Sequence, residues 1–79
     1  MENSEKYMKI FMDTFEIDRG QAENADYNSI KAWDSIGHMQ LINNIESAFD
    51  IYFEIDDIVD LNSFETGKVL LKKYNVEFD

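Results

Sequence analysis

The sequence predicts an all-α fold, a small four-helix bundle, on three observations. The chain of 79 residues has no proline and only three glycines, which disfavours a turn-rich β architecture. Its apolar residues recur at three- and four-residue spacing in separate stretches, the period of helices with one buried face. It has no cysteine, so apolar packing must hold the fold without disulfides or thiolate-bound metal. A single domain over residues 1–79 is expected, with a modest core, because a domain this small buries little more than about 60% of its unfolded surface.

Asn3 or Ser4 is placed to cap a first helix over residues 4–16, where Met8, Phe11, Met12 and Phe15 fall at i, i+3, i+4 and i+7 and Tyr7 and Ile10 widen the stripe. Asp18, Arg19 and Gly20 read as its exit. The stretch "RGQAENADYNSIKAW" shows neither helical nor alternating period, so a long loop is expected there, strapped across the bundle by Tyr27, Ile30 and Trp33.

A second helix is predicted from Ser35 to Asp50. On a wheel of about 100° per residue, Leu41, Ile42, Ile45, Ala48 and Phe49 share the core face, while Ile36, Met39, Asn43, Glu46 and Asp50 lie opposite and Ser35 sits on the rim. A link over 51–55, anchored by Phe53, leads to a short third helix from Asp56 to Leu61. Asn62 and Glu65 resemble a capping box for a fourth helix with Phe64, Leu70, Leu71 and Tyr74 inward. Gly67 costs that helix about 1 kcal/mol relative to alanine, which points to a close helix contact. The tail "NVEFD" is expected to fray.

The formal charge of −10 opposes nucleic acid and anionic lipid, whose phosphates call for cationic partners. No stretch approaches the roughly 20 apolar residues of a membrane span, and Glu2 and Glu5 do not fit a signal peptide, so a cytoplasmic monomer without membrane insertion is expected. Eight of the seventeen acids, Asp34, Glu46, Asp50, Glu54, Asp56, Asp57, Asp60 and Glu65, lie between Lys31 and Lys68 with no base among them. Such a run reads either as a solvated face or as a docking patch for basic proteins, and its crowded carboxylates are expected to hold protons more tightly in the folded state.

Asp34, Ser35 and His38 invite a catalytic reading. A triad, however, needs the histidine to bridge serine and acid beside an oxyanion hole, and neighbours on one turn do not build that cleft. His38 is expected to be packed or hydrogen-bonded at the core edge. The acidic stretch "EIDDIVDLNSFE" lacks the alternating ligands and sixth-position glycine of an EF-hand. Neither catalytic nor metal-ligating residues are assigned.

For an isolated Asp-Ser pair, helix capping is the ordinary role of the serine. The whole frame, W-D-S-I-x-H-x-x-L-I-x-x-I-E-x-x-F after a long loop and before an acidic short helix, resembles the acyl carrier protein family, with its Asp-Ser-Leu signature at the start of helix II. The resemblance runs from about Tyr7 to Tyr74. It implies that Ser35 carries a 4′-phosphopantetheine arm derived from coenzyme A, that Asp34 is the preceding acid, and that the chain is a non-catalytic carrier of thioester-bound acyl groups in fatty-acid, polyketide or related biosynthesis. The implied partners are a phosphopantetheinyl transferase and acyl-loading and acyl-processing enzymes with basic docking surfaces. Ile36 and Met39 would form the apolar centre of the docking face, and Glu46, Asp50, Asp56, Asp57 and Asp60 its acids. Ile36 replaces the commoner leucine, and Gly37, His38, Gln40, Asn43 and Asn44 make the early helix less acidic than in fatty-acid carriers, which implies a stand-alone carrier of a specialised pathway. An aminoacyl or peptidyl carrier, or an acidic helical interaction module without a prosthetic group, is the alternative.

Overall fold

The computed structural model describes residues 2–78, and within them the chain is all-α. Five helices follow in order: α1 (Asn3–Phe15), α2 (Arg19–Glu23), α3 (Ser35–Phe49), α4 (Ile55–Asp60) and α5 (Phe64–Lys73). α1 buries Tyr7, Met8, Phe11 and Phe15, the face expected from the spacing, and stops where Glu16 turns left-handed at φ 54°. Neither Asn3 nor Ser4 caps it: the N-cap is Glu2, without a side-chain bond, and the Asn3 amide instead donates to the Glu77 carbonyl at 2.8 Å.

The stretch expected to be an unbroken loop contains α2. Five residues are too few to show a period, and a capping box starts the helix: the Asp18 carboxylate accepts from the Gln21 N–H while the Gln21 side chain accepts from the Asp18 N–H. Ala22 is buried beneath it. The rest of the stretch is a strap. It is bonded to the α4–α5 link through the Tyr27 N–H to the Asn62 carbonyl and the Phe64 N–H to the Ala25 carbonyl, both at 2.9 Å.

Rings fill the centre. Phe11 meets Tyr7, Phe15, Trp33 and Phe64 edge-on with centroids 4.9–5.9 Å apart, the spacing at which aromatic quadrupoles attract. The Tyr7 hydroxyl is buried and donates to the Phe64 carbonyl at 2.7 Å; burial pushes its pKa well up. Gly67 faces that hydroxyl so closely that a Cβ would lie 2.1 Å from it, which is the close contact its place in α5 predicted.

α5 starts differently from the expectation. Ser63 rather than Asn62 is the N-cap, and its box partner is Thr66 rather than Glu65. Thr66 has the shorter reach, but its hydroxyl lies 2.9 Å from the Ser63 N–H. The tail is docked, not frayed, through Phe78: Val76 is buried and the Phe78 ring packs on Tyr7 at 5.4 Å, while Asp79 lies outside the described residues. No helix among the described residues is long and apolar enough to cross a membrane.

Candidate functional site

The start of α3 is built by the strap residues before it. Trp33 is buried, stacked on Phe15 at 5.1 Å and edge-on to Phe11, so the chain enters the helix from a fixed point in the core. Asp34 follows in extended conformation, and its carboxylate accepts from the Gly37 N–H at 2.8 Å. Asp34 is therefore the N-cap, and Ser35 is the first residue of the helix. Ser35 is exposed, and its hydroxyl makes no hydrogen bond within the described residues. The capping role that would ordinarily account for a serine here belongs to its neighbour.

Gly37 has a part that its sequence position gave little sign of. A Cβ there would lie 2.1 Å from the Ala32 carbonyl oxygen, so only glycine lets the strap lie against the first turn of α3. A glycine two residues into a predicted helix was the available signal.

His38 closes the site on one side. Trp33 Nε1–H can only donate, so His38 Nδ1, 2.9 Å away, is the acceptor; Nε2 then carries the proton and donates to the Ile58 carbonyl at 2.7 Å. One neutral imidazole thus joins strap, α3 and α4, and stacks on Trp33 at 17° between planes. Both ring nitrogens are engaged within the fold. This is the hydrogen-bonded histidine expected at the core edge, and it leaves no nitrogen to activate Ser35.

Around the serine the residue faces follow the helical wheel. Leu41, Ile42 and Ile45 are buried, whereas Ile36 is 74% and Met39 47% exposed. α4 and the link before it add Tyr52, Ile55 and Val59, all exposed, which the wheel of α3 could not reveal.

The acids divide into two groups. Asp34, Asp50, Asp56 and Asp60 are exposed. Glu46 is half-buried, with its carboxylate accepting from the Phe53 N–H at 2.8 Å, so it holds the link after α3. Asp57 corrects the expectation outright: it is only 4% exposed, paired with Lys73 at 2.8 Å and hydrogen-bonded by the Tyr74 hydroxyl, and so it is withdrawn from any docking face. The Lys73 bond, then that from Tyr74, holds its carboxyl below the usual carboxylate range, the opposite direction to that expected of crowded acids. The same contact raises Lys73, and burial followed by Asp57 raises the Tyr74 phenol.

No protein-family model matches the chain, and no curated protein matches it.

Proposed function

We propose that the protein is an acyl carrier, holding acyl groups as thioesters on a 4′-phosphopantetheine arm attached to Ser35 and presenting them to partner enzymes of a biosynthetic pathway in the cytoplasm. The observation that carries the proposal is the division of labour at α3. Asp34 does the capping, which leaves the Ser35 hydroxyl exposed and unbonded at the positive end of a helix of fifteen residues.

The residues present fit such a group. A phosphodiester on Ser35 would lie where the helix dipole favours negative charge, and Gly37 and the buried Trp33 hold that turn in place against the strap. The arm supplies the thiol that this cysteine-free chain lacks. The protein's own part is to hold the serine outward, with Ile36 and Met39 as apolar contacts and Asp34, Asp50, Asp56 and Asp60 as acids for basic partner surfaces, beginning with a phosphopantetheinyl transferase.

Intact-mass measurement after incubation with coenzyme A and a broad-specificity phosphopantetheinyl transferase tests the proposal. One phosphopantetheine is expected on the wild type and none on Ser35→Ala, whose helical circular dichroism should be unchanged. An unmodified wild type, or a modified Ser35→Ala, overturns it.

A further inference from the structure

Hydrogen bonds hold α4 in place more than apolar burial does. Within the helix only Asp57 is buried, with its carboxylate tied to Lys73 and Tyr74; Ile58 is half-buried, and Ile55 and Val59 are exposed. The Tyr74 hydroxyl also accepts from the Glu54 N–H at 3.0 Å, so this side of α4 is pinned to α5. The other polar tie is His38, which reaches from α3 to the Ile58 carbonyl.

That second tie exists in one protonation state only. Trp33 Nε1–H cannot accept, and Trp33 is buried, so its donor depends on the lone pair of His38 Nδ1, 2.9 Å away. A proton on Nδ1 removes the lone pair and sets two donors face to face, leaving a buried indole N–H without a partner. The ring must then swing off Trp33, which takes Nε2 away from the Ile58 carbonyl. The groups around the ring offer the imidazolium no replacement in place. From the strap, Tyr27 meets it edge-on at 6.3 Å, and Asp26 and Lys31 are exposed. On its own helix Asp34 is committed to the Gly37 N–H; on α4 Asp57 is committed to Lys73 and Tyr74, and Asp56 and Asp60 are exposed. Leu61 and Asn62, in the link after α4, carry no charge, and among the described residues His38 forms no ion pair.

We propose that His38 is a proton-operated latch: neutral, it locks α4 to α3 and the strap; protonated, it lets go of Trp33 and Ile58 and frees α4 to pivot about the Asp57 corner. The latched state binds one proton fewer than the released state, so it is complete at higher pH and is lost as pH falls. Ile36 and Met39 lie on α3, and Ile55 and Val59 on α4, so the latch fixes how these exposed apolar residues are placed relative to one another. It requires no group on Ser35 and stands apart from the carrier proposal.

NMR of the unmodified full chain between about pH 8 and pH 5, where histidines change charge and ordinary carboxylates do not, tests the proposal. The ring of His38, the chain's one histidine, should start as the Nε2–H tautomer. As the ring takes up its second proton, the Trp33 indole N–H should lose its hydrogen-bonded shift and its protection from exchange should fall roughly tenfold. The amides of residues 55–60 should move with the same midpoint, and those of α1 should not. His38→Gln keeps an acceptor and a donor but takes up no proton, so it should fold and abolish these transitions. Should that variant not fold, the wild-type titration decides alone. A His38 that titrates while Trp33 and α4 stay still, a His38 that does not titrate in this interval, or a transition shared by α1 overturns the latch, as does a folded His38→Gln that keeps the transitions.

Discussion

The first turn of α3 and the α4–α5 corner each centre on an aspartate, and the two aspartates do opposite things. Asp34 spends its carboxylate on one backbone N–H and remains exposed, and the result is a neighbouring serine free of structural duty. Asp57 is taken out of solvent by Lys73 and Tyr74, and the result is a closed corner that ties α4 to the end of α5. Both belong to the same acidic run, so charge density alone does not tell an acid that a partner can meet from one that the fold consumes. Burial and the nearest donor decide.

A charge placed on either side of α3 should have the largest effect. Ile42→Glu should unfold the domain, since Ile42 is 1% exposed and an unpaired carboxylate would be buried there. Met39→Glu, at a site 47% exposed, should leave the melting temperature within a few degrees while weakening modification of Ser35 by the transferase. Thermal melts that rank the two the other way would show that the buried and open faces of α3 have been exchanged.

Gly37→Ala comes next. Its Cβ would run into the Ala32 backbone, which cannot swing aside as a side chain can, so a loss of about 1–3 kcal/mol is expected, together with altered tryptophan fluorescence as the strap around Trp33 shifts. Asp34→Ala should cost about 0.5–2 kcal/mol through the lost cap, or roughly 4–8 °C per kcal/mol in a domain of this size. Unchanged melting for Asp34→Ala would return the capping role to Ser35.

At Asp57 the test is the pH dependence. Its folded pKa is depressed, so its contribution is fully present above the unfolded carboxylate value of about 3.9 and is lost as pH falls through the lower folded value. Wild-type melting temperature should drop along that acid limb, and Asp57→Asn should lower the plateau at neutral pH and flatten the limb. An equal drop in both proteins would assign the acid sensitivity to other groups. The smallest effect expected is that of salt. With a net charge of −10, melting temperature should rise by a few degrees between low and 0.5 M sodium chloride as repulsion among exposed acids is screened, while association with a basic partner slows. A flat or falling curve would show the acids to be compensated.

Periodic elements were legible because burial of an apolar stripe repeats over several turns: the core faces of α1 and α3 and the inward Phe64, Leu70 and Leu71 of α5 could be read from spacing. α2 escaped because a helix held by one capping box carries no repeat, and the Asp18–Gln21 pair was its only trace. The cap of α5 was misplaced by one residue because Ser63 and Asn62 are both good caps, and a tertiary bond from the strap to the Asn62 carbonyl accompanies the choice of Ser63. At the candidate site, the helix start, the exposed Ile36 and Met39 and the inward lean of His38 followed from the wheel. The duties of Gly37, Glu46 and Asp57 did not, because each depends on a residue brought close only by folding.

Local period and local backbone chemistry were enough for an all-helical chain, the buried and open sides of α1 and α3, and an Asp-Ser pair at a helix start. Packing of the helices and the strap settled which member of that pair caps the helix, which acids stay in solvent, and which groups His38 bonds. Those outcomes turn on single contacts, such as the Gly37 N–H, the Lys73 ammonium and the Ile58 carbonyl, whose positions are set by how the helices and the strap pack together.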